Sequence, residues 1–175
     1  MNNHLAILNE VLQFLRRFQR AEHLVQESLS YIAQLTGWVG IALLSPEHET
    51  GMVHVIASAG PLAPPLDGAA PADQPMIVTV LQAKVSHYVA DTLGAGLVFP
   101  FAADRASAVL VPLKRGEWVH SLLYIVDDRP NAFDADARML AETLGEVLSS
   151  AFQNAELYVS LRREAFERRQ TEDRF

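Results

Sequence analysis

The chain has 175 residues and a net charge of −7, with 50% hydrophobic, 20% charged and 8% aromatic residues and no cysteine. A chain of this size and apolar content buries roughly 70% of its unfolded surface, which excludes disorder and implies one domain with or without helical extensions; the missing thiols exclude disulfides, thiolate metal sites and a cysteine nucleophile, and fit a reducing, cytoplasmic compartment. Residues 21–104 hold one basic side chain, Lys84, against eight acidic ones, so nucleic acid is excluded as a partner and a ligand with several phosphates meets the same repulsion.

Residues 4–36 contain neither Gly nor Pro, and apolar residues recur at helical spacing, predicting helix through the first 36 residues. One stripe runs through Leu5, Leu8, Leu12 and Leu15, a second through Ile7, Val11, Phe14 and Phe18. Two stripes exceed the needs of one packing partner, so one is expected to face the domain and the other a second copy of the chain. Polar residues interrupt the apolar part, so this terminus resembles neither a signal peptide nor a membrane span. Gly37 supplies the stop.

WVGIALLS (38–45) and MVHVIASAG (52–60) read as a strand pair around the turn PEHETG. From Gly60 to Pro75 five of nine prolines fall within sixteen residues, which demands a loop. A short helix at about 75–83, a strand at 86–90 and a Gly-containing stretch at 91–104 follow. SAVLVPL (107–113) and WVHSLLYIV (118–126) form a second hairpin across KRGE. Asp134 is a good N-cap for a last helix of some 40 residues, about 60 Å at 1.5 Å per residue. Within it Leu140, Leu144, Val147, Ala151, Asn154, Tyr158, Leu161 and Ala165 repeat at 4,3 spacing, a heptad seam in which Asn154 would hold register. The half beyond Tyr158 is thin in apolar residues, so it projects and depends on a partner; the plain alternative is a solvated tail.

The segments LVQESLSYIAQLTGWVGIALLS, SAVLVPLKRGEWVHSLLYIVD and FDADARMLAETLGEVLSSAFQNAELY, in this order, resemble a GAF domain over about residues 20–160. The resemblance implies an α+β, PAS/profilin-like fold: a central antiparallel β-sheet with helices packed on one face and long N- and C-terminal helices. It further implies a sensory domain at 21–157, between a dimerisation or linker helix at 1–20 and a signalling helix at 158–175. That last helix is expected to lead to a further domain, most often a histidine kinase in bacterial sensors. Ser121 stands where the family often has Gly. The absence of cysteine argues against a covalently attached bilin and against GAF-type methionine sulfoxide reductase activity.

No phosphate loop, His-Glu-x-x-His or Gly-x-Ser-x-Gly occurs, so no catalytic residue is expected in these 175 residues. Strict alternation in the last strand groups Trp118, His120, Leu122 and Tyr124 on one face and Val119, Ser121, Leu123 and Ile125 on the other. The first group is expected to look toward the loop side, where the resemblance places a ligand. His54, Asp91, Phe99, Phe101, His120 and Tyr124 are therefore the candidate effector-binding residues. The plain alternative is a filled core in which His120 and Tyr124 satisfy each other or the backbone, with Phe99, Phe101, Trp118 and Tyr124 closing the space. No metal and no cofactor is expected; haem held by His87 or His120 is the sharper alternative. The cyclic-nucleotide signature of some relatives is absent, with Asn131, Phe133 and Asp134 only a partial echo of it. The expected partners are a second copy, meeting through Leu5, Leu8, Leu12, Leu15, Ala151, Asn154, Tyr158, Leu161 and Ala165, and an unknown small effector.

Overall fold

The computed structural model describes residues 2–17, 21–91 and 106–172. Six strands form one antiparallel sheet in the order β3-β2-β1-β6-β5-β4. They are β1 (Ile41–Glu47), β2 (Met52–Ala59), β3 (Ala69–Pro71), β4 (His87–Val89), β5 (Ser107–Arg115) and β6 (Trp118–Asp127). The expected hairpins are β1–β2 and β5–β6, joined edge to edge by β1 pairing with β6. The proline-rich loop contributes the short β3, whose Ala69–Pro71 pairs with Met52–His54.

The N-terminal stretch is two helices, α1 (Asn2–Arg17) and α2 (Ala21–Thr36), where a helical run through residue 36 was expected. They lie side by side: Phe14 stacks on Tyr31 with centroids 4.5 Å apart, and Tyr31 Oη donates to Glu10 at 3.0 Å. Residues 10 and 31 would be roughly 31 Å apart along one straight helix. The second predicted stripe is the core stripe, with Ile7 and Val11 buried. The first stripe divides, since Leu8 and Leu15 are half-buried against the same core whereas Leu5 and Leu12 are 69% and 40% exposed. Gly37 ends α2 at φ +74° with its N–H on the Ala33 carbonyl at 3.0 Å.

Helix α3 (Pro75–Ala83) begins on a proline, which lacks only an N–H that the first turn leaves unpaired, and ends with Lys84 in the left-handed region. Helix α4 (Ala135–Glu172) starts where Asp134 accepts the Ala137 N–H at 2.7 Å, as its N-cap role requires.

Two apolar cores sandwich the sheet. On one face α1, α2 and α4 pack Leu29, Ile32, Leu144 and Leu148 against Leu43, Val111, Leu123 and Ile125. On the other face α3 packs Met76, Ile77 and Val80 against Val55, Leu110, Leu122 and Tyr124. Burying each of these aliphatic side chains contributes about 1.5–3 kcal/mol. Helix α4 approaches β5 at Gly145, where a Cβ would fall 2.8 Å from Val111 Cγ1. The chain exit from β2 at Gly60 is tighter still: φ is +94° and a Cβ would meet the Val39 carbonyl oxygen at 2.4 Å. No helix among the described residues is long and apolar enough to cross a membrane.

Candidate functional site

Two β-bulges decide which side chains meet. In β2 the register slips between Leu43/Ala57 and Leu44/Val55, leaving Ile56 as the extra residue. In β6 it slips between Leu113/Ser121 and Lys114/Val119, leaving His120 as the extra residue. A bulge puts two successive side chains on one face. Val119, Leu122, Tyr124 and Val126 therefore belong to the α3-side core, while Leu123 and Ile125 belong to the core under α1, α2 and α4. Strict alternation from Trp118 fails here: His120 is separated from Leu122 and Tyr124 and lies instead on the face of Ser121 and the terminal helices.

On that face His120 joins the sheet to α4. Ser149 Oγ donates to the Lys114 carbonyl at 2.9 Å, so its lone pairs accept the His120 Nε2–H at 3.0 Å. With the proton on Nε2, His120 Nδ1 accepts from Ser121 Oγ at 3.1 Å. Gln153, one turn further along α4, reaches both the Lys114 carbonyl and Ser149 Oγ at 3.4 Å. Beside this cluster opens a cavity of about 330 Å³. Its apolar wall comes from Val25 of α2, Leu43 of β1, Ile56 of β2 and Phe152 of α4; Arg115, Trp118, His120, Ser121 and Gln153 complete it. Trp118 is 59% exposed and Ile56 45%.

The remaining sequence-predicted residues do not gather here. Tyr124 is fully buried in the α3-side core, so Trp118 and Tyr124, on opposite faces, cannot close one space together. His54 lies near the turn end of β2, where its Nε2 meets Glu47 Oε2 at 2.9 Å in a half-exposed pair. Asp91 is half-buried just past the end of β4. Phe99 and Phe101 lie outside the described residues. The partial cyclic-nucleotide echo has structural employment: Asn131 takes φ +55° in a turn, Phe133 meets Tyr88 edge-on at 6.5 Å, and Asp134 caps α4. Sequence reading missed Ile56, Ser149, Gln153 and Arg115 as neighbours of His120, and no local signal announces either bulge.

Among the described residues no cluster of three or more His, Asp or Glu side chains is arranged to hold a metal ion. His120 has both ring nitrogens bonded to serine hydroxyls, and ligation would break one of those bonds. His87 is half-buried on the edge strand β4, paired with Leu110.

Asp127, at the end of β6, is the buried carboxylate among the described residues. It accepts from Arg129 Nε at 3.1 Å, Nη2 at 3.0 Å and the Arg129 backbone N–H at 2.9 Å. The Arg129 side-chain hydrogen bonds hold its carboxyl below the usual carboxylate value of 3.8, against the opposing effect of burial. Ser107 Oγ donates to the Arg129 carbonyl at 2.6 Å and fixes the same turn.

Comparison with known structures gives the same architecture. Free methionine-R-sulfoxide reductase from Neisseria meningitidis, solved with its substrate, aligns with a TM-score of 0.77 at 13% identity, covering 88% of this chain and 90% of that one. The GAF domain of a phosphoenolpyruvate-protein phosphotransferase from Acinetobacter aligns at 0.76 and 16% identity, covering 90% and 96%. The phycoerythrobilin-bound GAF domain of a cyanobacterial phytochrome aligns at 0.71 and 17%, covering 89% and 97%. At such identities the likeness is one of fold. No curated protein matches the chain by sequence. The family model of the GAF domain matches residues 20–154, and with the six-stranded sheet and its terminal helices in place, the chain belongs to the GAF domain family.

Proposed function

We propose that this GAF domain is the non-catalytic input part of a bacterial multidomain sensor, a histidine kinase in the simplest architecture, in which a small effector binds the domain and its occupancy is passed along α4 to an output domain. The observation that carries this reading is the two-part character of α4. Its first half buries Leu140, Leu144, Leu148 and Phe152 in the domain core, and the helix then continues twenty residues past Phe152 to Glu172 with Leu161 and Phe166 exposed. Those twenty residues span roughly 30 Å, a length that the domain does not need for its own packing. Two copies joined through the exposed Leu5, Leu12, Leu161 and Ala165 would bury this surface in a helical bundle. An effector moves that bundle only if it binds one of its states more tightly than the other.

A melting screen of the 175-residue chain against a small-molecule library tests the reading. A compound at a hundred times its Kd adds about 2.7 kcal/mol, a rise of about 5–11 °C for a chain of this length. Absence of any shift favours a second reading, a ligand-free module that dimerises the protein and relays strain from a neighbouring domain. The close-packed α3-side core, with Tyr124 1% exposed, supports that second reading.

A further inference from the structure

We propose that the Ser58 end of β2 is a strand-pairing edge held closed by Gln26 of α2, and that its occupant, once Gln26 lets go, is the same edge of a second copy of the chain. On one side β2 pairs with β1 along its whole length. On the other side its outward groups are closed in three different ways. β3 covers Met52–His54, and the chain just before β3 covers Val55, whose N–H donates to the Gly68 carbonyl at 2.8 Å and whose carbonyl accepts the Asp67 N–H at 3.1 Å. Beyond the bulge at Ile56 no described strand lies on this side. There the Gln26 carboxamide stands in for one: Oε1 accepts the Ser58 N–H at 3.1 Å and Nε2 donates to the Ser58 carbonyl at 2.7 Å.

An unpaired edge is a template for a further strand, and this stretch of edge is closed by a single exposed side chain where the rest is closed by main chain. Its two contacts are neutral hydrogen bonds at an exposed site, which makes a weak latch. Symmetry selects the second copy. Ser58 set opposite itself across a twofold axis exchanges both N–H···O bonds with its counterpart, as directly opposed residues of an antiparallel ladder do, so self-pairing restores one for one the bonds that Gln26 gives up. Residues 55–60, Val-Ile-Ala-Ser-Ala-Gly, carry no charge and no proline, so nothing in the segment repels its own copy or blocks a ladder. Gln26 lies on the helix whose Leu29 and Ile32 pack the core shared with α4, so a displacement of α2 that draws the carboxamide off Ser58 opens the edge. This surface is separate from the terminal-helix contact and stands whether or not the domain binds an effector.

Gln26→Leu removes the carboxamide and keeps the side chain's bulk at an exposed helical position. In sedimentation velocity on the full chain its mass should double with rising concentration, over a range in which the wild type holds a constant mass. Amide hydrogen exchange at Ser58 should run about two- to tenfold faster than in the wild type at low concentration, the scale of one lost hydrogen bond, and slower than in the wild type at high concentration. Adding Ser58→Pro deletes an N–H that points away from β1, so it spares the sheet and should return the constant mass with native circular dichroism. Gln26→Ala, a good helix former, reads the same outcomes if Gln26→Leu loses its native spectrum. Constant mass at every concentration with fast Ser58 exchange would overturn the proposal by showing an open edge that no copy fills. An unchanged Ser58 rate would overturn it by showing that Gln26 is no latch, and doubling that survives Ser58→Pro would overturn it by placing the contact elsewhere.

Discussion

Asp127 shows how one buried charge ties stability to pH. Its folded pKa lies below the ordinary 3.8 because Arg129 hydrogen-bonds the ionised form. The contribution is therefore fully present above the unfolded value and is lost as pH falls from about 4 through the folded value. Melting temperature followed by circular dichroism should fall more steeply with acidification below pH 4 in the wild type than in Asp127→Asn, and parallel curves would remove this assignment. His120 makes a second residue-scale case. Ser149→Ala deletes the acceptor of its Nε2–H and should cost about 1–2 kcal/mol in urea denaturation, the scale for stranding a part-buried donor. In a double-mutant cycle with His120→Ala the losses should fall short of additivity by more than about 0.5 kcal/mol, because both substitutions break the same bond.

At the scale of elements, most of the secondary structure was legible. Punctuation and periodicity place α3, β2, β6 and the start of α4 within about two residues of where they lie, because Pro75, Gly51, Gly116 and Asp134 fix their ends chemically. What periodicity could not show is where the count of two breaks. Trp118, His120 and Tyr124 share a parity, yet the slip opposite Leu113 and Lys114 sends Tyr124 to the α3 side and leaves His120 under α4. A bulge is a property of the pairing of two strands, and a single strand's sequence carries little trace of it. The same holds for the side-by-side packing of α1 and α2, since helix periodicity reports faces but not the direction of the next helix. Gly145 is an element-scale constraint of the same kind. Gly145→Ala should lower the melting temperature: the gain of about 1 kcal/mol in helix propensity is outweighed by overpacking of about 1–3 kcal/mol against Val111. A rise on thermal melting would mean that α4 and β5 are less tightly apposed than the 2.8 Å approach implies.

For the whole molecule, a sheet proposed to bind an effector is joined to a helix that outruns it. Leu12 and Leu161 are 40% and 63% exposed, so Leu12→Glu with Leu161→Glu should leave the domain folded while converting dimers to monomers in sedimentation velocity; an unchanged dimer would locate the contact elsewhere. Under the proposed function, occupancy at the domain changes the state of the remote half of α4. Amide hydrogen exchange, measured with and without the compound that raises the melting temperature most, tests it directly. Altered protection is expected across residues 161–172, beyond any lining residue of the cavity, and a change confined to the binding residues with 161–172 exchanging at an unaltered rate would contradict this coupling.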